Sequence, residues 1–382
     1  MTSNIDFEQI RSYTDQEFPE VRDRLISEGI LSFIVPKVFP DYSTEEFAGF
    51  FKQINSVADF QARVIYPAVK HILTHTSEGF TYTGLENLEK GKPYLFISNH
   101  RDIVLDPALL NFALFEAGFN TAEVAIGDNL LHTKWIEDLA RLNKSFIVRR
   151  SLNSRELVLA SKVLSEYIGY NILEKSNSIW IAQRQGRAKD GNDKTQVGIL
   201  NMILMACEQN QRDYLSSLNI APVSVSYEKD PCDADKVNEL YQQVYSGGYQ
   251  KRDGEDVESM KKGLLGDKGK IHMHFSSSLS NDISDLDGDL HKNDLIEKIC
   301  DLIDLDILNN YKLYQRNYMA YDLYFEDAIY RDKYTWTDRD NFIHLVENNL
   351  KSIPGLSSDH FSIFYKMYAQ PLINKLQLGL TS

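Results

Sequence analysis

Residues 94–115 read YLFISNHRDIVLDPALLNFALF. The opening YLFIS is a continuous apolar run of strand length, and the stretch after Pro107 carries apolar residues at helical spacing. Between them lies a polar turn holding Asn99, His100, Arg101 and Asp102, with Asp106 directly ahead of the proline. A strand that passes through a polar turn into a helix is half of a βαβ unit, and ligands of open α/β sheets bind at the ends of such strands. His100 is expected at that mouth. Pro107 suits a first helical position, so Asp106 is expected as the N-cap, its carboxylate accepting from backbone N–H groups of the first turn.

Working outward, the same texture repeats. Short apolar runs at 122–126, 145–149, 178–182, 220–227 and 270–275 alternate with helical patterns such as NLLHTKWIEDLARLN (129–143) and RELVLASKVLSEYI (155–168). Strands alternating with helices predict an α/β fold, a mixed and mainly parallel central sheet with helices on both faces. Residues 1–80 show helix-spaced apolar positions only, and so does the tyrosine-rich stretch after the acidic, turn-rich SSSLSNDISDLDGDLHKNDL. The expected division is an N-terminal helical region at 1–80, an α/β domain at 81–290 and a C-terminal helical region at 291–382.

Bulk chemistry narrows the function classes. Hydrophobic residues make up 43% and charged residues 25% of the 382, in the range of ordinary globular proteins. Acidic residues outnumber basic ones by 55 to 41, which argues against a nucleic-acid partner and confines useful positive charge to local clusters. Three scattered cysteines provide neither a disulfide framework nor a CxxC metal site. The N-terminus lacks the basic start and apolar stretch of a secretory signal. No apolar run approaches the roughly 18 to 20 residues that span a bilayer, so membrane contact is expected to be peripheral. The expected location is cytoplasmic, or the cytoplasmic face of the inner membrane.

Several weaker signals are set aside. GLLGDKGKI (263–271) has the wrong spacing for a phosphate loop and isoleucine where Ser or Thr would meet magnesium. The stretch 283–294 lacks two ligands of a calcium loop. His272 and His274 share a strand face without a third ligand, and no GxSxG segment occurs.

The chemistry open to His100 is general base catalysis. A neutral imidazole can take the proton of a hydroxyl attacking a thioester carbonyl, provided a carboxylate fixes the other ring nitrogen as N–H. Read from this segment alone, His100 is equally a loop histidine and Asp106 a helix cap. Further blocks follow in order: GDNL (127–130) with RRS (149–151), IWIAQRQGRAKDG (179–191), IAPVSVSYE (220–228) and GKIHMHF (269–275).

With SNHRDIVLDP (98–107), these blocks resemble the glycerol-3-phosphate, dihydroxyacetone-phosphate and lysophosphatidate acyltransferase superfamily over about 95–275. The resemblance implies an acyltransferase that moves a fatty acyl group from acyl-CoA or acyl-carrier protein to a hydroxyl of glycerol 3-phosphate or 1-acylglycerol 3-phosphate in phospholipid biosynthesis. It implies no cofactor beyond the acyl thioester, with His100 as base and Asp106 as its partner. The implied substrate-binding residues are Asn99, Arg101, Gly127, Asp128, Asn129, Arg149, Arg150, Gln185, Gly186, Arg187 and Lys189. Arginine suits a dianionic phosphate because its guanidinium is planar and always charged.

Two departures stand out. One extra residue separates histidine from aspartate, which leaves Asp102 as a second candidate partner, although only Asp106 keeps the following proline and apolar run. The glutamate of the family's third block is replaced by an amide at both counterparts, Gln183 and Gln185. Two alternatives follow: a lipid or acyl-thioester binding protein without turnover, and an O-acyltransferase for another lyso-lipid.

Overall fold

A computed structural model describes residues 6–380. Its frame is a seven-stranded sheet in the order β1-β7-β6-β2-β5-β3-β4. The strands are β1 (Gly79–Thr83), β2 (Leu95–Ser98), β3 (Glu123–Gly127), β4 (Ser145–Val148), β5 (Ile179–Ala182), β6 (Ile220–Tyr227) and β7 (Lys270–Phe275). From β6 to β4 all neighbours are parallel; β7 runs antiparallel to β6, and β1 pairs parallel with β7. The sheet is thus mixed and mainly parallel. β2 is buried along its whole length, as a central strand covered on both faces must be, which is why its sequence is apolar without alternation.

Each face carries its own helical layer. One side buries Leu95, Ile97, Ile179 and Ile181 against Tyr167 and Ile168 of the helix Ser154–Gly169 and Ile299 and Ile303 of the helix Lys292–Asn310. The other side buries Phe96, Trp180 and Val223 against Leu109 and Leu110 of the helix Leu105–Glu116 and Ile72 and Leu73 of the helix Tyr66–Thr76. A phenylalanine-rich cluster of Phe18, Phe47, Phe51 and Phe60 closes the N-terminal helices. Residues 315–377 form a further helical cluster, built with Val237 around Phe342, Val346 and Phe364. The sheet's own covering extends past residue 290, because Lys292–Asn310 packs on the strands. Among the described residues no helix is long and apolar enough to cross a membrane.

Three local expectations are corrected. β1, GFTYT, has no apolar run and alternates exposed with half-buried positions, the pattern of a sheet edge. The helix expected over 129–143 starts only at Lys134, after a 3-10 turn over Asp128–Leu130, because Asp128 turns its carboxylate to the backbone N–H of Arg150 instead of capping a helix. Pro222, whose lack of an N–H suits the first residue of a strand, is instead the third residue of β6, and its carbonyl accepts from the Ser276 N–H at 3.0 Å just beyond β7.

Candidate active site

The five parallel strands end on one edge, and the polar segments of all the quoted blocks but the last follow those ends. His100 lies past the end of β2, and its Nδ1 stands 2.8 Å from Asp106 Oδ2. That same oxygen accepts from the backbone N–H of Arg101 at 2.6 Å and of Asp102 at 2.9 Å, while Oδ1 accepts from the Tyr227 hydroxyl at 2.8 Å. Asp106 is 1% exposed, and these donors satisfy both of its carboxylate oxygens inside the protein. Burial, reinforced by the Asp106 carboxylate, raises the Tyr227 phenol well above its ordinary range and keeps it a donor. A carboxylate on Nδ1 selects the tautomer with N–H there and leaves Nε2 as acceptor. Nε2 has no partner among the described residues. The ring stands edge-on to Trp180 at 5.8 Å between centroids.

Asp102 does not touch the ring. Its Oδ1 accepts from the backbone N–H of Val104 at 2.9 Å and of Leu105 at 2.7 Å, so Asp102 serves the start of the helix, in the place expected for Asp106. The helix begins at Leu105, one residue ahead of Asp106, whose side chain points back toward the turn it follows.

The expected phosphate-binding residues divide into two groups. Asn99 is fully buried and its amide is taken up by β6, Nδ2 donating to Val225 O at 2.9 Å and Oδ1 accepting from Val225 N at 2.8 Å. Arg101 is paired with the buried Asp193, and Lys189 with Glu239. Arg187 faces inward: burial opposes its charge, and the nearby carboxylates of Asp230 and Asp102 favour it. Asn99, Arg101 and Lys189, expected on substrate, are directed at the protein because each has a partner from a distant part of the chain, while Arg101 Nε and Arg187 Nη1 are buried without a hydrogen-bond partner.

The second group stays at the surface of the strand ends. Arg149 reaches toward Gln9 at 3.5 Å. The Arg150 guanidinium lies over the end of β3, where a side-chain carbon added to Gly127 would come within 3.2 Å of Cζ. That close approach, with Asn129 Oδ1 only 2.5 Å from the same point, is what glycine at 127 permits. Gly186 has φ +73° and open space around its α-carbon, and Gln185 beside it is exposed. The loop is tied to the His100 turn by a 2.8 Å bond from the Ala188 N–H to the His100 carbonyl.

The two glutamines that stand for the family's glutamate are unlike. Gln183 is 0% exposed and its amide nitrogen and oxygen have no hydrogen-bond partner. Gln183→Glu is expected to lower stability by about 2–4 kcal/mol, since a carboxylate there has no counter-charge or donor. Gln185→Glu, at an exposed position, should stay within about 0.5 kcal/mol of the native chain. Denaturant melts of the two variants check the contrast, and equal loss in both would refute it.

Sequence reasoning missed Tyr227 as a partner of Asp106, although it stands in the fourth block. Asp193, a fully buried carboxylate outside every block, carried no signal at all.

Residues 79–226 match the family model described as Acyltransferase. The chain carries an acyltransferase domain. The match starts with β1 and stops one residue short of the end of β6, so the acyltransferase domain as matched omits β7 and the helices that follow. No curated protein matches the chain. Among solved structures, the 1-acyl-sn-glycerophosphate (LPA) acyltransferase PlsC from Thermotoga maritima is similar at 11% identity and a TM-score of 0.38, covering 77% of this chain and 94% of that one.

Proposed function

We propose that the acyltransferase domain transfers a fatty acyl group from an acyl thioester to a hydroxyl of a glycerol-phosphate acceptor, with His100 as general base. The observation that carries this is the 2.8 Å contact between His100 Nδ1 and a carboxylate itself fixed by two backbone N–H groups and Tyr227. In the reaction, Nε2 takes the proton from the acceptor hydroxyl as its oxygen forms the new C–O bond at the thioester carbonyl. Collapse of the tetrahedral adduct breaks the C–S bond, and the leaving thiolate receives the proton from the imidazolium. Asp106 holds the ring's orientation and offsets its transient charge. No covalent acyl-enzyme is required.

The acceptor reading rests on spacing. Arg150 places its guanidinium over the end of β3, two strands from β2, or ~10 Å across the sheet edge. A hydrogen bond of ~2.8 Å at each end, plus the few covalent bonds between a terminal hydroxyl and a phosphate oxygen of glycerol phosphate, covers that distance. Arg150→Ala is expected to raise the acceptor KM by about 10- to 100-fold with little change in kcat, the worth of one charge-assisted contact. The assay is thioester consumption with acyl-CoA or acyl-carrier protein as donor and glycerol 3-phosphate, 1-acylglycerol 3-phosphate or an uncharged lyso-lipid as acceptor. Donor consumption that never depends on an acceptor overturns the reading; dependence on the uncharged acceptor alone overturns the phosphate part of it. A protein that only binds would leave the assembled base and its carboxylate without a task.

A further inference from the structure

The turn that carries His100 is held from behind by a residue outside the catalytic pair. Asp193 Oδ2 accepts from Asn99 Nδ2 at 3.3 Å and from the Arg101 guanidinium. One carboxylate oxygen therefore grips the residues immediately before and after His100. Asp193 is 2% exposed, and Arg101 is sealed in with it, its guanidinium over the Tyr311 ring at 5.5 Å and its carbonyl accepting from Lys236 at 2.9 Å. Through Asn99 the grip extends to Val225, two residues before the Tyr227 that donates to Asp106. Both halves of the catalytic pair are thus referred to the same buried point.

Asp193 is in turn fixed by helices beyond the matched domain. Two residues later, Thr195 donates from N–H at 2.8 Å and from Oγ1 at 2.5 Å to Asp304, on the helix Lys292–Asn310. Two residues earlier, Gly191 at φ +77° lies so close under the helix Ser358–Gln377 that an added side-chain carbon would sit 2.2 Å from the Met367 carbonyl oxygen. Asn192 Oδ1 accepts from Asn374 on that helix at 3.2 Å.

We infer that Asp193 is a positioning residue for His100, clamping both of its chain neighbours, and that the helices Lys292–Asn310 and Ser358–Gln377 hold the clamp in place as a working part of the active site. The inference deepens the proposed acyl transfer and rests on that reading for its kinetic readout. A carboxylate is needed because an amide or alanine at 193 leaves the buried Arg101 guanidinium without its counter-charge, and the turn shifts to hydrate it. Displacement of about 1 Å at a base costs on the order of 100-fold in rate.

The test compares Asp193→Ala with Leu25→Ala, a core substitution in the N-terminal cluster that removes buried carbon away from the clamp and from both helices that hold it. Two readouts are taken on the full chain: kcat and KM for the acyl thioester, and the low-field proton resonance of the His100 N–H held by Asp106. Asp193→Ala is expected to lower kcat by about 100-fold, to change KM by less than about threefold, and to shift or broaden the resonance. Leu25→Ala should keep both the resonance and kcat. If Asp193→Ala does not fold, Asp193→Asn, which keeps the shape and loses the charge, is read in the same way. An unchanged resonance in the Asp193 variant, or the same loss in Leu25→Ala, overturns the inference. Should the native chain consume no thioester, the acyl-transfer reading fails, while the resonance alone still decides whether Asp193 positions His100.

Discussion

His100→Ala is expected to lower the proposed acyl transfer to about a thousandth of the native rate, with the fold left intact. The size follows from the role: removing a positioned general base typically costs 10²–10⁴-fold, and about 10³ is the centre of that range. The intact fold follows from the hydrogen bonds. With the ring gone, Asp106 Oδ2 keeps the N–H groups of Arg101 and Asp102, and Oδ1 keeps the Tyr227 hydroxyl, so no buried charge is stranded. The melting temperature should therefore move by only about 1–2 °C, as for a loss near 1 kcal/mol in a chain of this size. A variant with native turnover would remove His100 from the mechanism; one that loses activity only in step with unfolding would make it structural.

Asp106→Ala is expected to show the opposite balance, losing activity and stability together. It strands two backbone N–H groups and the Tyr227 hydroxyl, all accepted by Asp106 inside the protein. Each unmet donor costs about 1–3 kcal/mol, and several kcal/mol in sum is a large fraction of a domain's stability. Asp106→Asn separates the two effects. Its carbonyl oxygen can keep the backbone donors, but the amide carries no charge to hold N–H on the His100 Nδ1, and the rate should still fall by about 10²–10⁴-fold. Chemical denaturation beside the thioester assay measures both. Native stability in Asp106→Ala would mean that the donors find other partners; native activity in Asp106→Asn would mean that the carboxylate does not orient the base.

How much of this was legible in the sequence varies with the range of the interaction. The runs 94–98, 145–149 and 220–227 fall within a residue of strands because a strand buried on both faces needs a continuous apolar stretch, which one window of sequence displays. The edge strand GFTYT displays nothing of the kind, since half of it faces water. The choice between Asp106 and Asp102 could be argued from the neighbouring proline, but spacing alone could not say which side chain turns back to the ring. The cations were the hardest to read. Arg101 and Lys189 look like phosphate ligands until their partners are known, and those partners, Asp193 and Glu239, lie 92 and 50 residues away along the chain. Charge pairing over such distances leaves no periodic trace. Gly127 was implied at the substrate and Gly191 stood only as the end of the third block; the first makes room for Arg150 and the second for a helix that comes much later in sequence.

That last contact bears on the order in which the protein becomes competent during synthesis. Gly191 waits for the Met367 carbonyl, and Asn192 for Asn374, so the segment beside His100 is completed by residues translated roughly 10–35 s after it, at about 5–20 residues per second. Until then the sheet can form and its two faces can be covered in part, but the base lacks its final support. On the inference drawn above, a nascent chain whose helix Ser358–Gln377 has not yet emerged would hold the strands of the sheet without the final fixing of the His100 turn.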